Sequence, residues 1–264
     1  MTNLEKKFAD LRAQNRKGVI IFVTAGAPDI ETSIRAVVEA EKNGADIIEI
    51  GIPFSDPMAD GPVILKASTV AVKNGVNMQK VFDIIREIRK ESQIPIVGMG
   101  YLNNLLAYGF EKFVDDAKSV GMDGVIVPDV PHEESELMRQ ICSEKNFHLM
   151  EFITPLTTPE RMKETCTSAN GFIYCVSNVG VTGVKELDYS QINSVMKNAR
   201  QFTKIPLALG FGIGNAESAV AAAEEADAII IGSAVVSRLM ENKFGEAMKF
   251  IADIRSALDN KRDA

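Results

Sequence analysis

Ala45-Asp46-Ile47-Ile48-Glu49-Ile50, followed by Gly51-Ile52-Pro53-Phe54-Ser55-Asp56-Pro57-Met58-Ala59-Asp60-Gly61-Pro62, is the stretch on which the fold turns. Its first part is a short, isoleucine-rich run that reads as a strand with both faces covered. Its second part is long for a connection between a strand and a helix, and is stiffened by three prolines. Working outward, seven more runs of the same kind occur: Gly18 to Thr24, Ile94 to Met99, Gly124 to Val127, His148 to Ile153, Gly171 to Val176, Ile205 to Leu209 and Ala228 to Ile231. Between them, apolar residues recur at spacings of three and four, as in Val81, Ile84, Ile85 and Ile88, which marks amphipathic helices. Eight strand and helix repeats predict an α/β fold, the (β/α)8 or TIM barrel, as one domain over residues 1–264. Leu4, Phe8 and Leu11 form a stripe ahead of the first strand and predict an extra N-terminal helix plugging the barrel bottom. An open doubly wound sheet is the alternative, and eight repeats without a Gly-x-Gly-x-x-Gly after the first strand weigh against it.

Composition narrows the functional classes. With 46% hydrophobic and 25% charged residues among 264, the chain can bury a large core. A net charge of -7 and no basic stripe argue against a nucleic-acid surface. The first residues carry charge rather than an apolar signal core, and no apolar run reaches membrane-spanning length, so a cytoplasmic protein with no membrane partner is expected. Cys142, Cys166 and Cys175 are odd in number and widely spaced, which fits reduced, buried thiols better than a disulfide framework or zinc site.

Catalytic groups in such a barrel sit at the C-terminal ends of strands. Glu49 lies there in an apolar strand, where lost solvation raises a carboxyl toward neutrality and makes it a candidate general acid and base. A glutamate satisfied by a buried hydrogen bond is the plainer alternative. Asp60 is placed over the mouth as a functional residue, whereas Asp56 before Pro57 serves equally well as a turn former. Gly180-Val181-Thr182-Gly183, Gly210-Phe211-Gly212-Ile213-Gly214 and Gly232-Ser233-Ala234 follow late strands and predict a phosphate cradle, with Ser233 opening a short helix. No lysine falls within the strands, which argues against a Schiff base. His132 and His148 lie at opposite ends of the barrel, so no histidine-rich metal site is expected. His148 reads as structural and His132 as a solvated loop residue. Asp129 reads as a hydrogen-bond partner of loop backbone, and Glu151 as held by the core or a helix. Phe22, Tyr101 and Tyr174 are core residues by default that, at a barrel mouth, could wall an aromatic ligand. Carboxylate chemistry on a phosphorylated substrate remains, with the substrate supplying its own electron sink.

Across residues 44–62 the chain resembles the α subunits of tryptophan synthase almost residue for residue. The similarity continues at Phe22-Val23-Thr24-Ala25-Gly26, Tyr101 with Asn103, Val127-Pro128-Asp129, Gly180 to Gly183 and Gly210 to Ile213. The resemblance implies retro-aldol cleavage of indole-3-glycerol phosphate to indole and glyceraldehyde 3-phosphate. It assigns proton shuttling to Glu49 and charge stabilisation at the indole N–H to Asp60. It also puts Phe22, Tyr101, Ile126, Tyr174 and Phe211 around the indole, Gly183, Gly212, Gly232 and Ser233 at the phosphate, and Thr182 against Asp60. A β subunit in an α2β2 complex is implied as partner near Asp56 and Pro57, with pyridoxal phosphate in that partner and no cofactor in this chain. Ala27, Leu65, Val70, Gly100 and Gly214 stand where the family more often has Asp, Gln, Arg, Thr or Ser, and Ser respectively, and Ile126 stands where Leu is usual. Three other readings share the scaffold: a lyase acting alone, a poorly active subunit that serves to activate its partner, and a different phosphate-binding isomerase.

Overall fold

A computed structural model of the protein describes residues 1–176, 189–210 and 212–262. The strands are β1 (Gly18–Thr24), β2 (Ile47–Gly51), β3 (Ile96–Met99), β4 (Gly124–Ile126), β5 (His148–Leu149), β6 (Glu151–Ile153), β7 (Ile173–Val176), β8 (Leu207–Gly210) and β9 (Ala228–Ile231). The helices are α1 (Asn3–Ala13), α2 (Ile30–Lys42), α3 (Pro62–Lys73), α4 (Met78–Arg89), α5 (Leu102–Tyr108) and α6 (Phe110–Ser119). After them come α7 (Glu136–Glu144), α8 (Pro159–Ser168), α9 (Ser190–Ala199), α10 (Ala216–Ala222), α11 (Ser233–Met240) and α12 (Phe244–Arg262), with a 3-10 turn at His132–Glu134 before α7.

The strands pair in parallel in the order β5-β4-β3-β2-β1-β9-β8-β7-β6. The two ends of that order, β5 and β6, are separated in sequence by Met150 alone, so one continuous run bonds β4 on one side and β7 on the other. That run closes the sheet, and the eight repeats form the expected barrel. The start of the second strand moves inward from Ala45 to Ile47 because the side chain of Asp46 occupies the adjacent Val19 N–H at 3.0 Å.

Alternation along the strands sorts side chains into two layers. Val19, Ile21 and Val23 face the helices, whereas Ile20, Ile47, Val97, Ile126, Met150, Phe172, Ala208, Ala228 and Ile230 fill the interior. Leu4, Phe8 and Leu11 of α1 join that interior set, so the N-terminal helix closes the bottom of the barrel. Its start is fixed by a capping box between Thr2 and Glu5. Thr2 Oγ1 also lies 2.9 Å from His148 Nε2, and Asp123 accepts the Leu4 N–H at 3.4 Å. Hiding each of the three apolar side chains stabilises by on the order of 2 kcal/mol. In α4 the stripe of Val81, Ile84, Ile85 and Ile88 is fully buried, and Asn77 caps its first turn by accepting the Lys80 N–H.

His132 differs from the sequence reading. Rather than a solvated loop residue it is only 12% exposed, with Nδ1 3.1 Å from Glu151 Oε1. Glu151 points outward from β6 and also meets Arg139 of α7 at 3.5 Å. A buried carboxylate needs such partners, and the turn carrying His132 is folded back to supply one.

Candidate active site

Glu49 shares its face of β2 with Ile47, so period two turns it into the barrel, near the C-terminal rim. It is 2% exposed, and its Oε2 has no hydrogen-bond partner among the described residues. Desolvation, and next the charge of Asp60, push its carboxyl up to about 8. Asp60 comes from the loop after β2. Burial raises it to about 6, opposed by a hydrogen bond from the Tyr101 hydroxyl. Asp60 therefore ionises first, and its charge then resists ionisation of Glu49. At neutral pH the two stand in opposite states, Glu49 holding a proton and Asp60 charged.

The loop bearing Asp60 is held from several sides. Ser68 of α3 accepts the Phe54 N–H and donates to the Phe54 carbonyl, each at 2.8 Å. Asn104 Nδ2 donates to the Pro53 carbonyl at 3.0 Å. The Tyr101 hydroxyl accepts the Ala59 N–H at 3.1 Å, and its ring stacks on Phe54 at 5.6 Å. Tyr101 in turn precedes α5, whose first N–H, that of Leu102, goes to the Asp129 carboxylate at 3.0 Å. Asp129 thus bonds loop backbone, as read from the sequence. The double role of Tyr101, as ring and as clamp on Ala59 and Asp60, was not legible there. It joins the end of β3 to the loop after β2, a pairing no local period records.

Phe22 lies across the rim between β2 and β9: a Cβ on Gly51 would come within 2.5 Å of its ring, and one on Gly232 within 3.5 Å of its Cβ and 3.7 Å of its ring. Tyr174, half-buried on β7, packs against Phe152 with the rings tilted by 32° and their centroids 5.2 Å apart. Burial, and then the neighbouring Glu49 and Asp60 carboxylates, hold its phenol well above its ordinary range. A Cβ on Gly210 would meet the Tyr174 hydroxyl at 2.5 Å, so glycine there makes room for the ring. Ile126 closes the interior wall at 1% exposure. Gly212 takes a positive φ of 79°, and Gly232 opens α11 at Ser233 with no side-chain cap on that helix. Glu49, Asp60, Phe22, Tyr101 and Tyr174 are therefore linked around one rim. Gly232 and Ser233 reach it from β9, the strand hydrogen-bonded to the other side of β1. Thr182, Gly183 and Phe211 lie outside the described residues. Among those described, no group of three or more His, Cys, Asp or Glu is arranged to hold a metal ion, and no helix is long and apolar enough to cross a membrane.

A family model described as tryptophan synthase alpha chain matches residues 8–261. A tryptophan synthase alpha chain of Thermoanaerobacter pseudethanolicus is 41% identical over 263 residues, covering 98% of this chain and 100% of the relative. One from Caldanaerobacter subterraneus subsp. tengcongensis is 38% identical with the same coverage. Among solved structures, tryptophan synthase subunit alpha of Legionella pneumophila superposes with a TM-score of 0.91 at 31% identity, over 98% of this chain and 99% of that one. A tryptophan synthase from M. tuberculosis in its aminoacrylate-bound form gives 0.88 at 28% identity, over 98% and 100%.

Proposed function

Because this chain belongs to the tryptophan synthase alpha chain family, we propose that Glu49 and Asp60 carry out its reaction by a two-step proton relay. The reaction is the lyase cleavage of indole-3-glycerol phosphate in tryptophan biosynthesis. In the first step protonated Glu49 delivers its proton to indole C3, and ionised Asp60 balances the positive charge that develops at the ring N–H. The indoleninium so formed is the electron sink. In the second step the Glu49 carboxylate takes the proton of the hydroxyl next to the ring. The bond from that carbon to C3 breaks, its electron pair returns to the ring, and the aldehyde of glyceraldehyde 3-phosphate forms. Glu49 regains a proton and the cycle closes. The observation that carries this reading is the pair of neighbouring carboxyls held at about 8 and about 6 on either side of neutral pH.

Phe22, Tyr101, Ile126 and Tyr174 wall the indole in this reading, and Gly212, Gly232 and Ser233 hold the phosphate at the start of α11. Thr182, Gly183 and Phe211 are assigned to the same site from the family resemblance. The natural partner is a β subunit, which carries the pyridoxal phosphate of the α2β2 complex and receives the indole. Met58, Leu106, Leu137 and Leu156 support its seating on the mouth: all four are exposed, and each follows the C-terminal end of a strand. Indole release from indole-3-glycerol phosphate by the purified chain, with and without a β subunit, tests the reading. Loss of release in Glu49→Gln and Asp60→Asn is expected, and full activity in either variant would overturn the assignment.

A further inference from the structure

Among the described residues at the rim of the barrel, two side-chain oxygens are hidden from solvent without a hydrogen-bond partner: Glu49 Oε2 and Thr24 Oγ1. Glu49 has a chemical role in the mechanism above, and Thr24 has none. Thr24 ends β1 and is 2% exposed. It shares its face of the strand with Ile20, an interior residue, so alternation turns it into the barrel. The register pairs Phe22 with Glu49 and Thr24 with Gly51. Thr24 therefore stands one rung above Glu49 on the next strand, a diagonal of roughly 8 Å between Cα positions from ordinary strand spacing and rise. The residue opposite it, Gly51, has no side chain to offer.

A buried hydroxyl left unpaired is destabilising, and valine would fill the same volume without that cost. The position of β1 supplies a reason for threonine. In the sheet β1 lies between β2, which carries Glu49, and β9, which leads into Gly232 and Ser233. A substrate with its ring at Glu49 and its phosphate at the start of α11 must lay its glycerol chain across the end of β1. We propose that Thr24 binds a hydroxyl of that glycerol chain and holds it in line with Glu49. This inference rests on the function proposed above.

The test uses the full chain with a β subunit present. It compares wild type, Thr24→Val and Thr24→Ser in turnover of indole-3-glycerol phosphate, in binding of indole-3-propanol phosphate and in thermal unfolding. The propanol compound keeps ring and phosphate but lacks the inner hydroxyls. Thr24→Val is expected to unfold at or above the wild-type temperature and to lose roughly tenfold or more in kcat/KM. Its affinity for the propanol phosphate should stay within about twofold of wild type, and Thr24→Ser should retain most turnover because it keeps the hydroxyl. If Thr24→Val does not fold, Thr24→Ala carries the same comparison. Unchanged kcat/KM in the hydroxyl-free variant overturns the inference, as does a parallel loss of affinity for the propanol phosphate, which reports a distorted pocket. A wild-type chain that fails to cleave the substrate defeats the proposed function itself, and this inference with it.

Discussion

Replacing Glu49 by glutamine removes an ionisable group and keeps its shape, so it isolates the energetic cost of a charge at this position. The folded chain holds the Glu49 proton far more tightly than an unfolded chain does. The stability this confers is complete below about pH 4.5 and is lost as pH rises through about 8. That displacement, at about 1.4 kcal/mol per pH unit, amounts to roughly 5 kcal/mol. Denaturant unfolding of wild type and Glu49→Gln at a series of pH values between 5 and 9 reads it directly. The quantity of interest is the change in the difference between the two proteins, since any constant offset from the amide then cancels. Asp60, raised in the same direction to about 6, is present in both. The variant should gain on wild type by several kcal/mol across the series. A difference that stays flat, or moves the other way, would show that the carboxylate has a compensating partner in the fold and would refute the desolvation account.

With Asp60 ionising near 6 and Glu49 near 8, kcat/KM should be bell-shaped, with a maximum near pH 7, in a pH-rate series. Tyr101→Phe removes the hydrogen bond that lowers Asp60 and the clamp on Ala59; the acid limb of that profile should move to higher pH and kcat should fall. Gly210→Ala places a methyl group 2.5 Å from the Tyr174 hydroxyl; unfolding measurements should show a loss of about 1–3 kcal/mol, and turnover should drop as the ring is displaced. Phe8→Ala opens a cavity at the barrel bottom, remote from the rim; a loss of about 3–5 kcal/mol in stability with unchanged kcat in the folded fraction is expected.

Most of the barrel was written in periodicity. The strands at Gly18–Thr24 and Ala228–Ile231 match the apolar runs end to end, because strands covered on both faces are apolar nearly throughout. The N-terminal plug was equally plain, since Leu4, Phe8 and Leu11 repeat at helical spacing. Glu49 stood out because a lone carboxyl in an isoleucine run has no local reason to be there. What escaped were contacts between distant elements. His132 reads as a loop residue until the 3-10 turn brings it against Glu151. The hold of Tyr101 on the Asp60 loop depends on β3 lying beside β2, which only the assembled sheet provides. The unpaired hydroxyl of Thr24 is invisible in sequence for the same reason: whether a threonine finds a partner depends on what the neighbouring strands place opposite it.

The relay requires that Glu49 carry a proton at neutral pH while its neighbour Asp60 does not. Infrared difference spectra of wild type against Glu49→Gln, recorded across a pH titration, isolate the carbonyl stretch of that one protonated carboxyl. A band present at pH 7 and lost near pH 8 is the predicted result; a band already gone by pH 5 would contradict the mechanism at its first step.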